Sequence, residues 1–171
     1  MIPMTTLDIQ ISVEEGDWLS EDQLDAVCQR VLGESAAFLK REEKQPFPKT
    51  PTEVSLVFTD DASIRAINAE WRGQDKPTNV LSFPAYPITP GKRPGPMLGD
   101  IILAHETVAR EAEELGKPFD DHLTHLLVHG FLHLFGYDHI ETDDAERMET
   151  LETGILASLG LSDPYGDTDP V

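Results

Sequence analysis

The stretch HLLVHGFLHLFGYDH, residues 125–139, constrains this chain more than any other. His129 and His133 are four apart, so a helix carries both on one face, about one turn from each other and within reach of a single ion. Gly136 marks the end of that helix, because the left-handed residue that often follows a helix is reached cheaply only by glycine. The reversed chain can return His139 to the same point. Three imidazoles with a fourth position open describe a catalytic zinc site. Packing alone explains one histidine on an apolar helix, but poorly explains three at H-x3-H-x5-H with a glycine ahead of the closing Tyr-Asp-His.

The spacing matches the metzincin signature H-E-x-x-H-x-x-G-x-x-H, except that Gly130 stands where the protease carries its general-base glutamate. Without a carboxylate beside the metal, peptide hydrolysis of the zincin kind lacks its proton acceptor. Gly130 costs a helix about 1 kcal/mol relative to alanine, so it is expected to leave room for a substrate or for another helix beside the metal.

At 171 residues the chain is long enough for one domain with a sizeable core. No run approaches the roughly 18 apolar residues of a membrane span, and the start lacks a signal-peptide pattern, so a cytoplasmic protein is expected. Cys28 is the single cysteine and lies in an apolar stripe with Leu24, Val27 and Val31, which points to core packing in a reducing compartment. The net charge of -19 argues against general attraction to DNA, other nucleic acid or anionic membranes. The acidity is uneven. Ten acidic residues face one basic residue from position 138 onward, whereas residues 65–93 hold five basic against two acidic. A local anion site can therefore lie in the middle of the chain, with a partnerless solvated surface as the competing account.

Period-two patterns predict strands at residues 6–13, 52–59, 79–83 and 98–104. Ser20 with Gln23 reads as a capping box for a helix running to about Lys40. A short helix capped at Asp60 or Asp61 is expected to bury Ile64, Ile67 and Trp71. Five prolines and two glycines make residues 84–96 a long surface loop carrying Lys92 and Arg93. The strands before and after it are expected to run in opposite directions. A helix follows at 105–116, then the histidine helix opening at Pro118 and Asp120, with His122 expected to be exposed and His125 a hydrogen-bonding neighbour of the site. The last helix, capped at Thr142, is expected to bury Met148, Leu151, Ile155 and Leu156. The order β-α-β-α-β-β-α-α-α implies an α+β fold, a small mixed sheet of about four strands packed with about five helices around a central, zincin-like metal-binding helix.

Three blocks of this sequence resemble the YbeY endoribonucleases, or rRNA maturation factors. They are HGFLHLFGYDH at 129–139, NAEWRGQDKPTNVLSFP at 68–84 and LGDIILA at 98–104. The resemblance covers the chain from Leu7 to about Leu159 and implies one metal-dependent hydrolase domain over residues 1–161, with residues 162–171 an acidic tail outside the family pattern. It implies a single-strand-specific endoribonuclease acting in 16S rRNA maturation and ribosome quality control. By position it assigns one Zn2+ per chain to His129, His133 and His139, and the functionally important arginine to Arg72. Its implied partners are single-stranded rRNA, the small ribosomal subunit and ribosome-associated proteins.

The chemistry of the residues agrees with that implication. A zinc ion on three histidines brings the pKa of bound water to about 7 and polarises a phosphoryl oxygen, so phosphodiester cleavage does not need the missing glutamate. Arg72 can clamp non-bridging oxygens bidentately, in a way a lysine cannot; a structural ion pair with Glu70 or Asp75 is the competing reading. Nickel or another imidazole-binding ion suits the same ligands. Two other functions stay open: a non-catalytic zinc-bound assembly factor, and a metallohydrolase of another substrate. The nucleophile is either metal-activated water or the RNA 2'-hydroxyl.

Overall fold

The computed structural model describes residues 7–16, 18–138 and 141–161. Four strands form one sheet in the order β1-β2-β4-β3: β1 (Leu7–Val13), β2 (Thr52–Thr59), β3 (Val80–Pro84) and β4 (Met97–Ala104). The pairs β1/β2 and β2/β4 are parallel, whereas β3 lies antiparallel to β4 at the edge. Five helices accompany it among the described residues: α1 (Glu21–Glu42), α2 (Asp61–Arg72), α3 (His105–Leu115), α4 (Phe119–Leu134) and α5 (Thr142–Ser158). The expected α+β architecture is the observed one.

Local chemistry sets most boundaries. Ser20 and Gln23 form the reciprocal capping box that opens α1. The Asp60 side chain accepts the Ser63 N–H at the start of α2, and these bonds hold its carboxyl below the usual carboxylate range. Thr142 is not a cap, as had been expected of it. It is the first residue of α5, and the preceding Glu141 makes no side-chain capping bond.

Strand alternation divides the interior in two. Ile101 and Leu103 of β4 enter the main core with α1, α4 and α5, while Ile102 and Ala104 face Ile64 of α2 in a smaller cluster on the other side. Trp71 corrects the expectation that α2 buries a full stripe. Ile64 is fully buried and Ile67 partly so, but Trp71 is 69% exposed, standing edge-on to Phe83. Val13 is likewise exposed, at the end of β1.

The histidine helix α4 packs against both α1 and β3 and is apolar on nearly all sides. An alanine methyl at Gly130 would come within 3.1 Å of Ile101 Cγ2 and Ser82 Oγ and 3.4 Å of Val80 Cγ2. The glycine therefore serves a close approach of helix to sheet. Gly136 has φ of +95°, and Tyr137 N–H returns to the Leu132 carbonyl at 3.2 Å, closing the helix as its sequence predicts. Residues 84–96 form no regular element beyond the end of β3, but they are fastened. Gln45 Nε2 donates to the Lys92 carbonyl at 2.7 Å, and Thr52 Oγ1 donates to the Gly95 carbonyl at 2.6 Å.

Candidate metal and RNA cleft

His129 and His133 project from the face of α4 that borders edge strand β3. Their Nε2 atoms are 3.0 Å apart, and the rings stand nearly perpendicular at 85°. Two nitrogens of a tetrahedral zinc ion with bonds of about 2.0–2.1 Å lie roughly 3.3–3.4 Å apart, so the spacing suits two ligands of one ion. His139, expected as the third ligand, lies outside the described residues. Among the described residues, no group of three or more histidine, cysteine, aspartate or glutamate side chains is arranged to hold an ion.

A carboxylate absent from the sequence-based site stands behind this pair. Glu152 of α5 is buried, and its Oε1 lies 2.6 Å from His129 Nδ1 while Oε2 lies 3.1 Å from His125 Nε2. A signal for it existed. Glu152 falls beside Met148, Leu151 and Ile155 on the buried stripe of α5, where an acidic residue is out of place unless something needs it. His125 thus neighbours the site as expected. His122 does not behave as expected. It is 4% exposed, and its Nε2 lies 2.9 Å from Glu111 Oε1, which also accepts the Asn79 amide at 2.9 Å.

The two histidines open onto a cleft of about 490 Å³ lined also by Asn68, Arg72, Lys76, Asn79 and Ser82. Asn68 is buried and donates to the Lys76 carbonyl at 2.9 Å, which fixes the α2–β3 turn that carries Lys76. Arg72, the last residue of α2, donates from Nη2 to the Ser82 carbonyl at 3.0 Å and lies over the Phe83 ring. The competing ion pair with Asp75 is not formed, because Asp75 is bound by Arg65 at 2.8 Å and the guanidinium holds its carboxyl below the usual range. Arg65, so paired, does not line the cleft. Arg72 and Lys76 line the cleft; Lys92 and Arg93 do not.

A second hollow of about 410 Å³ lies on the other side of His129, lined by Asn79, Glu111, Glu114, His122, His125 and neighbouring leucines. It shares Asn79 and His129 with the first. Basic residues therefore lie on one side of His129 and acidic residues on the other.

The histidine pair stands on a helix at the edge of a mixed sheet and faces a cleft with an arginine and a lysine, a donor set whose chemistry suits a metal ion and an anion. A family model described as Endoribonuclease YbeY matches residues 9–160, and the chain belongs to that family. Curated relatives bearing the same description include one from Rhizobium meliloti, 75% identical over 98% of this chain and 99% of its own, and one from Agrobacterium fabrum, 67% identical over 98% of this chain and all of its own. A solution structure of a Thermotoga maritima protein shares the fold, with a TM-score of 0.55 at 24% identity over 95% of this chain and 98% of that one.

Proposed function

We propose that this chain is a metal-dependent endoribonuclease of ribosomal RNA processing, cutting single-stranded RNA at the cleft between α4, β3 and the end of α2. The observation that carries the reading is the pair of Nε2 atoms 3.0 Å apart, opening into the same cleft as Arg72 and Lys76. Curated relatives at 67–76% identity that carry the description Endoribonuclease YbeY support the reaction class.

His129, His133 and His139 hold one zinc ion in this reading. Bound there, zinc supplies a Lewis acid that polarises a phosphoryl oxygen and acidifies water. Arg72 keeps one Nη2 hydrogen bond to the Ser82 carbonyl, which aims its remaining donors at the cleft and the non-bridging oxygens of the scissile phosphate. Lys76 receives the next phosphate as a point charge. A glutamate at position 130 would bring its Cβ to 3.1 Å from Ile101 Cγ2 and Ser82 Oγ, so the close packing of α4 on the sheet disfavours the carboxylate that a zincin-type peptidase uses there.

Residues 1–161 are one catalytic domain, followed by an acidic tail over 162–171. Among the described residues no helix is long and apolar enough to cross a membrane. A reduced Cys28 and a ribosomal substrate fit the cytoplasm, with the small ribosomal subunit and its associated proteins as partners, because two cleft cations are few for capturing RNA against a net charge of -19.

The test compares metal-loaded protein with a His133→Ala preparation, purified identically, on single-stranded RNA and on casein. RNA cleavage by the first alone, with casein intact, is the expected outcome. Equal RNA cleavage by both preparations overturns the enzyme reading and favours a zinc-bound assembly factor with a co-purifying nuclease.

A further inference from the structure

We infer that Glu152 is a positioning residue that locks His129 in the one tautomer able to present Nε2 to the cleft. The inference rests on the metal reading above and extends it to a residue outside the three histidines.

A carboxylate accepts hydrogen bonds and cannot donate them, so the proton between Glu152 and His129 sits on Nδ1. A neutral imidazole has only one N–H. Placing it on Nδ1 leaves Nε2 as a bare lone pair, aimed at His133 Nε2 3.0 Å away. At 2.6 Å the Glu152–His129 contact is in the range of a charge-assisted bond.

His125 completes the device. The terminal torsion of a glutamate is broad and roughly two-fold, so a carboxylate held at one oxygen can turn. Here Oε2 is held as well, 3.1 Å from His125 Nε2. The imidazole of His125 thus sets the carboxylate plane, and the carboxylate sets the plane of His129.

Burial supplies the independent argument. Enclosing an ionised carboxylate is expensive, and an apolar residue of similar volume is commonly no worse for stability. Glu152 nevertheless occupies a site with 1% side-chain exposure amid Met148, Leu151 and Ile155. Packing α5 on α4 does not require it. Partners of this kind set the orientation and basicity of metal-bound histidines, and removing them weakens metal affinity by roughly 10–100-fold.

Zinc titration into metal-free wild type, Glu152→Gln, His125→Gln and His133→Ala, with a melting curve of each metal-free protein, provides the test. Glu152→Gln should weaken zinc binding roughly 10–100-fold, and His125→Gln by less. Unchanged zinc affinity in Glu152→Gln, whatever its melting temperature, assigns the carboxylate a structural role and overturns the inference. Wild-type affinity in His133→Ala instead overturns the metal reading itself. A second measurement needs no variant: the imidazole nitrogen shifts of metal-free wild type should report His129 protonated on Nδ1. Protonation on Nε2 sinks the inference even if no Glu152 variant folds.

Discussion

Gly130→Ala tests whether the glycine in the histidine motif is a packing requirement. Replacing glycine by alanine inside a helix ordinarily stabilises by about 1 kcal/mol. The new methyl, however, would stand 3.1 Å from Ile101 Cγ2 and from Ser82 Oγ. Neither yields easily: Ile101 is β-branched in a central strand, and Ser82 Oγ is held by its bond to the Gly130 carbonyl at 3.1 Å. Forcing a carbon into a packed gap costs about 1–3 kcal/mol, so the net change is a destabilisation of about 0–2 kcal/mol. Gly33 is the internal control, since it is exposed on α1 and a Cβ there would have nothing within 4 Å. Gly33→Ala should gain about 1 kcal/mol, or roughly 2–4 °C in melting temperature for a chain this size. Melting curves of the two variants, recorded side by side, give the comparison. If Gly130→Ala is stabilised as much as Gly33→Ala, the close-approach account is wrong.

Four further outcomes are expected. Arg72→Lys should lower RNA cleavage by far more than it lowers melting temperature, because the loss is of fork geometry at the phosphate; proportional losses would make Arg72 structural. With Arg72 and Lys76 as the cleft cations, and roughly 0.7 of a counterion released per phosphate of a single strand, the slope of log affinity against log salt should be about -1 to -2. A slope steeper than about -5 would show capture by a wider surface. Burial pushes the Cys28 thiol up to about 12, so it should resist thiol reagents at pH 8 until the protein unfolds. The raised value also means that its contribution to stability is complete below about 9 and shrinks as pH rises from 9 toward 12, which denaturation midpoints across that range will show.

The sequence disclosed elements through periodicity, and it did so where one physical rule acts alone. The capping box at Ser20, the left-handed Gly136 and the alternating strands depend on neighbours a few residues away. It failed where distant residues decide. Trp71 falls on the apolar side of α2, but at the helix end it stands edge-on to Phe83 at the rim of a hollow lined by Val57, Ile67 and Ile102, and nothing among the described residues covers it. His122 looks solvated in sequence because its partner Glu111 is on another helix. The excess of basic residues over 65–93 does not show in sequence that Arg65 is paired with Asp75, because that pairing crosses a turn. The histidine pair and Arg72 were visible as a motif, whereas Glu152, 19 residues beyond His133, showed in the sequence only as an acidic residue on an apolar stripe, and its histidine partners came into view when α5 was laid on α4.

Ser82 gives the cleft a fixed gauge. Its hydroxyl holds the Gly130 carbonyl of α4, and its own carbonyl holds the Arg72 guanidinium at the end of α2. The spacing between arginine and imidazoles is therefore set across one residue of covalent backbone, whose dimensions scarcely vary with temperature or solvent. A loop-borne arginine would have to be found again on each turnover. On the proposed reading this one is already at its station before RNA arrives, and the entropy of locating it is spent once, during folding.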